Sequence, residues 1–170
     1  MKWIFSAAIL MIAVPLLSSA EPSVDDMKEY LGQYLGTWEG ELSFETPSGE
    51  TLKTLAVATE YWKSGEVTKG MTAFELVGEI NFAKSKTYFR NNLLFSDVTQ
   101  NGKTITYRGF LRNGGIVWIP YDAELNTERR ITERFAEEGG DAVLYVEGQE
   151  LIRSMEGTGK VLLRARLIRK

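Results

Sequence analysis

The chain has no cysteine and no histidine. Without cysteine there are no disulfides and no thiolate nucleophile, so the fold is held by packing alone. Without histidine, a Ser-His-Asp or Cys-His nucleophile system, a histidine-ligated zinc and a histidine-held haem all fall together. Imidazole is the side chain that titrates nearest neutral pH, and most acid–base enzymes use it. Its absence weighs against catalysis of any kind. No loop carries the Asp-x-Asp-x-Asp-Gly pattern that wraps calcium, and no glycine-rich loop follows a strand and opens a helix as a phosphate cradle does. No metal and no cofactor are expected.

Basic clusters are also scarce. Lys and Arg number 20 against 23 Asp and Glu, a net charge of −3. The one local concentration is Arg164, Arg166, Arg169 and Lys170, spaced as a solvated strand face would space them. This balance argues against nucleic acid or an anionic membrane as the main partner. Beyond the first residues there is no apolar run long enough to cross a bilayer as a helix.

Those first residues are the exception. Lys2 precedes an apolar run from Trp3 to Leu17, and Ser18-Ser19-Ala20 sets small residues ahead of Glu21-Pro22. Basic, apolar, then small is the order of a cleaved secretory leader. The run falls short of the ~20 residues a spanning helix needs, and Pro15 interrupts it. Residues 1–20 therefore read as a signal peptide and 21–170 as one mature domain, periplasmic or secreted. No cysteine adjoins the cleavage site, so a thioether lipid anchor is excluded.

The mature chain is organised by alternation. Ser23 is placed to cap a short helix that carries Asp25 and Asp26 in its first turn and Met27, Tyr30, Leu31 and Tyr34 along one side. After Gly36 the period becomes two. Trp38, Gly40, Leu42 and Phe44 alternate with Glu39, Glu41, Ser43 and Glu45, as in a half-buried strand. Turn residues then recur at Pro47-Ser48-Gly49, Ser64-Gly65, Asn101-Gly102, Asn113-Gly114-Gly115, Gly139-Gly140 and Gly157-Thr158-Gly159, each between β-rich runs. The runs lie near 37–45, 52–62, 66–78, 79–84, 87–98, 103–111, 115–120, 127–137, 141–150 and 160–168, with a short extra piece at 151–156. Consecutive strands joined by hairpins predict an all-β, antiparallel up-and-down meander barrel of 8–10 strands with a short N-terminal helix. Closure removes the sheet edges; an open two-sheet sandwich is the alternative.

The segment Leu35-Gly36-Thr37-Trp38-Glu39-Gly40-Glu41 opens the first strand with Gly-x-Trp after a short helix, and an Arg-bearing strand ends the meander. In this the chain resembles the lipocalin-like, or calycin, superfamily, and among its members the bacterial lipocalin-like barrels including the nitrobindin-type branch. The resemblance implies that Trp38 plugs one end of the barrel with Arg164 or Arg166 of the last strand across its indole, a cation–π closure. A nitrobindin-like protein holds haem iron through histidine; this chain has none, so that function does not carry over. Tyrosine can ligate haem, but nothing marks out one of the seven here.

Parity names the interior candidates. On 127–137 the more apolar face carries Thr127, Arg129, Ile131, Glu133 and Phe135, which sets Arg129 and Glu133 inside or at the rim. They are read as a ligand anchor, Arg129 pairing a carboxylate and Glu133 tuning it, or as an internal ion pair or a strand end open to water. On 87–98, Phe89, Asn91, Leu93 and Phe95 share a face; on 103–111, Ile105, Tyr107, Gly109 and Leu111 do. Asn91 and Tyr107 are thus the polar groups expected to see the lumen. Phe74, Leu76 and Val143 or Leu144 are expected to supply apolar wall. Gly40, Gly78 and Gly109 fall at inward positions and signify either ligand space or bulges and corners. Asp97 and Asp122 sit at strand ends, where Asp serves turns. Val117 to Tyr121 form an aromatic segment that suits a lip at the mouth or a partner patch.

These residues suit three functions. The first is a non-enzymatic carrier or sensor that holds a small hydrophobic or amphipathic molecule in the lumen. The second is a structural or protein-interaction module with a filled core, and the third an isomerase-type enzyme working without histidine.

Overall fold

The computed structural model describes residues 22–170 except 77, 122–128, 155 and 156, with the backbone alone at 76, 151–154, 157 and 158. The expected leader, Asp122, Thr127 and the side chain of Leu76 lie outside the described residues. Among the described residues no helix is long and apolar enough to cross a membrane.

Helix α1, Val24–Gly32, starts where its cap dictates. The Ser23 hydroxyl accepts from the Asp26 amide at 3.1 Å, and the Asp26 carboxylate accepts from the Ser23 amide at 2.8 Å. This reciprocal box satisfies two otherwise orphaned donors. Tyr30 and Leu31 are the buried face of the helix, and Tyr34 is buried just beyond it.

Ten strands come after it: β1 Gly36–Glu45, β2 Thr51–Ser64, β3 Val67–Leu76, β4 Glu79–Arg90, β5 Leu93–Gln100, β6 Lys103–Arg112, β7 Gly115–Pro120, β8 Arg130–Glu138, β9 Asp141–Ser154 and β10 Gly157–Arg169. Each pairs antiparallel with its sequence neighbours, and β10 returns to β1, so the sheet closes as a barrel. At the seam Trp38 stands opposite Arg169 and Glu45 opposite Leu162. The meander barrel and its short helix are as the alternation predicts; the sandwich is excluded.

Some boundaries differ in kind: residues 151–154, expected as part of a short extra piece, continue β9, and β4 runs unbroken through the expected gap at 85–86. Residues 87–98 are not a single strand, because a two-residue turn at Asn91-Asn92 ends β4 and starts β5. Both asparagines have positive φ, 51° and 61°, the left-handed geometry of a hairpin turn that matches strand twist. Every side chain after the turn changes face relative to the single-strand reading. Leu94 and Ser96 point inward opposite Phe89 and Thr87, while Phe95 faces out. There Phe95 is covered by the Arg90 guanidinium at 4.5 Å and the Tyr121 ring at 5.3 Å. Asn91 is an exposed turn residue and does not see the lumen.

The helix end of the barrel is filled by aromatic rings. Trp38 is wholly buried, and its Nε1 donates to the Tyr34 carbonyl at 2.6 Å. Phe135 packs against Tyr34, Tyr30 and Trp38 with centroid separations of 4.8, 5.3 and 5.5 Å. The Tyr30 hydroxyl donates to the carbonyls of Gly114 and Glu133, each at 3.2 Å, which ties α1 to the β6–β7 turn and to β8.

Trp38 does plug this end, but the cation across it is Arg169, 4.7 Å from the ring. Neither Arg164 nor Arg166 reaches it, for a reason of parity: Leu163, Ala165, Leu167 and Arg169 share the inward face of β10 and Arg164 and Arg166 point out. Arg164 pairs with Glu45 at 2.8 Å and Arg166 with Glu138 at 2.7 Å, both on the surface. Away from the plug, Leu42, Val57, Leu144, Ala165 and Leu167 continue the buried cluster along one wall.

Candidate lumenal binding site

The opposite wall of the lumen is not filled. A cavity of about 180 Å³ lies among residues of β2 to β8 and the end of α1. Its hydroxyls come from alternating inward positions: Thr72 of β3, Ser85 and Thr87 of β4, and Ser96 of β5. Cross-strand pairs join Thr59 Oγ1, as donor, to Thr72 Oγ1 and Thr87 Oγ1 to Ser96 Oγ, each at 3.0 Å. Thr68 also borders the cavity, and its Oγ1 is buried without a hydrogen-bond partner among the described residues. Four aromatic residues complete the lining: Tyr34, Tyr61, Tyr107 and Trp118.

Glu133 is the lining carboxyl. Alternation on β8 sets it inward between Ile131, which also borders the cavity, and Phe135 of the plug. Its Oε2 accepts from the Tyr34 hydroxyl and from Trp118 Nε1, both at 2.6 Å. These are the short contacts of charge-assisted hydrogen bonds. Both donors converge on one oxygen, so Oε1 has no protein donor among the described residues. Burial pushes the Glu133 carboxyl above the usual carboxylate range, and the bonds from Tyr34 and Trp118 oppose that only in part. The same burial, with Glu133 nearby, holds the Tyr34 and Tyr61 phenols above their ordinary value, and Tyr30 is pushed up to about 12. All three stay protonated at neutral pH, so Tyr34 is fixed as a donor to Glu133.

Arg129 does not join Glu133. Four residues along an extended strand is about 13 Å, and the Arg129 guanidinium instead lies 3.4 Å from Glu150 and 5.7 Å from the Tyr107 ring centroid. Its Nε is buried without a partner among the described residues. The structure thus brings Glu133 and Tyr107 to the cavity, leaves Arg129 against Glu150, and puts Asn91 outside. Tyr107 is buried, which raises its phenol pKa against the opposing charge of Arg129.

The inward glycines make room for side chains rather than for a ligand. A Cβ on Gly109 would lie 2.6 Å from the Trp118 ring and 2.8 Å from Leu94; on Gly70 it would lie 2.7 Å from the Tyr61 ring. Gly109 and Gly70 therefore permit two of the lining aromatics to lie where they do. A Cβ on Gly40 would strike the Arg166 carbonyl, and Gly78 is a turn residue. Trp118 is interior, so the aromatic segment after Val117 is not one exposed patch; Tyr121 alone of its aromatics is exposed. Tyr34, Tyr61, Trp118 and the hydroxyls were not among the sequence candidates. The signal for the hydroxyls was a Ser or Thr on the inward parity of β3, β4 and β5.

The outer wall carries a second feature. Met71, Ile80 and Phe82 are exposed on β3 and β4. Beside them Lys69 stands directly opposite Lys86, and Lys84 opposite Met71.

No protein-family model and no curated protein matches the chain. Among solved structures it is similar to a protein of unknown function from the DUF3598 family of Nostoc punctiforme. That match covers 84% of this chain and 98% of the other at 10% identity, with a TM-score of 0.23. A likeness of that degree carries no argument about what the lumen holds.

Proposed function

We propose that this chain is an exported, non-enzymatic binding protein of the lipocalin-like, calycin kind that takes one small amphipathic molecule into its lumen. The observation that carries the reading is the mixed lining of the cavity, in which hydroxyls, four aromatic residues and a carboxyl surround about 180 Å³. A protein built only for stability would fill such a space with apolar side chains, since an unfilled core costs packing energy. The size sets the ligand. An apolar cavity of about 150 Å³ accepts benzene, whereas drug-sized ligands occupy about 300–1,000 Å³. A long acyl chain is too large.

Calorimetric titration with phenol, benzylamine and cyclohexanol tests the reading. Saturable binding by wild type, lost in Ala83→Phe with the β-sheet circular dichroism retained, is the expected result. Failure of all three probes to bind would overturn it. Export is tested separately: the full chain expressed in a Gram-negative host should be recovered outside the cytoplasm with Glu21 as its first residue.

A second reading, an interaction module, is favoured by the outer wall. Two like charges directly opposite each other on a sheet destabilise it, and Lys69 and Lys86 accept that arrangement next to exposed Met71 and Phe82. The occupant this chemistry fits is an acidic protein surface. Lys86→Glu with Phe82→Ser should abolish salt-dependent capture of such a partner without lowering the melting temperature, since the change turns a like-charge pair into an attractive one; capture that persists argues against it.

A further inference from the structure

We propose that the lumen selects a small organic cation, an alkylated ammonium with about as many heavy atoms as the benzene-sized space admits, bound through Glu133 Oε1 among Tyr34, Tyr61 and Trp118. This rests on the lumenal binding function and names its ligand class.

Charge gives the first argument. Glu133 places a carboxyl on the cavity wall, and no described cation is paired with it. Arg129 is engaged by Glu150. Lys84 also borders the cavity, but it alternates with inward Ala83 and Ser85 and is exposed. A carboxyl taken out of water without a counter-charge is costly, and the two neutral donors on Oε2 stabilise it without neutralising it. A positive ligand beside Oε1 would supply the missing charge. An anionic ligand would meet repulsion there, and a purely apolar one would leave Oε1 unmatched.

The walls give the second argument. Alkylated ammonium groups are recognised by aromatic faces, because the ring quadrupole attracts a cation that is only weakly hydrated. Of the four aromatic residues that line this one small space, Tyr107 already carries Arg129; Tyr34, Tyr61 and Trp118 do not, and two glycines, Gly70 and Gly109, are what allow Tyr61 and Trp118 to be there. The hydroxyls of Thr72, Ser85, Thr87 and Ser96 then suit a polar substituent on the same molecule. Tyr34 serves both parts of the site, lining the space and clamping Oε2. A carboxyl held by two ring donors, in a space lined by those same rings, is preorganised: binding need not reorient it.

The experiment compares three isosteres on the folded wild-type protein by calorimetry: choline, its neutral carbon analogue 3,3-dimethyl-1-butanol, and the anion 3,3-dimethylbutyrate. Choline is expected to bind at least tenfold more tightly than the alcohol, and the anion not at all. Glu133→Gln should erase the difference between choline and the alcohol. Alcohol binding that equals or exceeds choline binding, with loss of both in Ala83→Phe, would overturn the cation assignment and leave the lumenal binding function standing. Binding of none of the three would overturn the assignment as well, and titration with phenol and cyclohexanol then decides the lumenal function on its own. Preference for the anion, or undiminished choline selectivity in Glu133→Gln, would equally refute it. The wild-type comparison needs no variant, so a folding defect in Glu133→Gln cannot mask the result.

Discussion

Replacing Glu133 by Ala and by Gln separates what the carboxyl does for the fold from what its charge does. Alanine leaves the Tyr34 hydroxyl and Trp118 Nε1 without the acceptor they share at 2.6 Å. A buried donor left unpaired costs about 1–3 kcal/mol, so the two together cost roughly 2–6 kcal/mol. For a domain of this size ~1 kcal/mol moves the midpoint by ~2–4 °C, and Glu133→Ala should melt roughly 5–20 °C below wild type. Glutamine keeps a carbonyl oxygen with two lone pairs for the same two donors, and should lie within about 1 kcal/mol of wild type at neutral pH. The pH dependence has a definite sign. Burial raises the carboxyl pKa in the folded state, and Tyr34, Tyr61 and Tyr30, which face it, stay neutral. The folded protein therefore holds this proton more tightly than the unfolded chain does. The resulting stabilisation is complete below the ordinary Glu value and is lost as pH rises through the raised one. Urea unfolding at about pH 4 and about pH 8 should show wild type losing stability relative to Glu133→Gln at the higher pH. The same midpoint for the Ala and Gln variants, or a wild-type advantage that grows with pH, would refute the reasoning.

The packing sets three further outcomes. Gly109→Ala places a methyl 2.6 Å from the Trp118 ring and should cost about 1–3 kcal/mol by overpacking, with tryptophan fluorescence shifted; an unchanged midpoint would mean the ring has free space. Arg169→Ala should destabilise by ~0.5–2 kcal/mol through the lost contact with Trp38, beyond Arg164→Ala or Arg166→Ala, whose surface pairs are worth ~0–1 kcal/mol; equal effects in all three would remove the case for a cation–π closure. Asn91→Gly should leave stability nearly unchanged while Asn91→Val lowers it by ~1–2 kcal/mol, since a β-branched residue resists positive φ; chemical denaturation distinguishes them.

Most of the architecture was legible because alternation and turn chemistry are local. The Ser23 cap, the Gly-x-Trp opening and the glycine-bearing hairpins each declare themselves within a few residues. The Asn91-Asn92 turn was the exception. It lacks the glycine that marks most of the other connections, and overlooking it inverted the facing of Asn91 and Phe95 at once. The inward placement of Glu133 follows from parity on β8, but its partners do not. Tyr34 lies 99 positions away and Trp118 15, and no pattern in one strand reveals which side chains of other strands converge on it. Parity on β10 already sets Arg169 on the face of Leu163, Ala165 and Leu167 and turns Arg164 and Arg166 out; only its position opposite Trp38 needed the register that closure sets.

The seam between β1 and β10 joins Trp38 to Arg169 and Glu45 to Leu162, the two strands at opposite ends of the meander. Until β10 has been made and pairs with it, β1 has an unsatisfied row of amides on one side and the cylinder is a curled, open ribbon. Such long-range pairing is slow to form, and a bare strand edge invites association in the meantime. Completion is therefore a single late event, and a chain shortened by its last few residues would lose the clasp over Trp38 together with the zipper that makes the wall continuous.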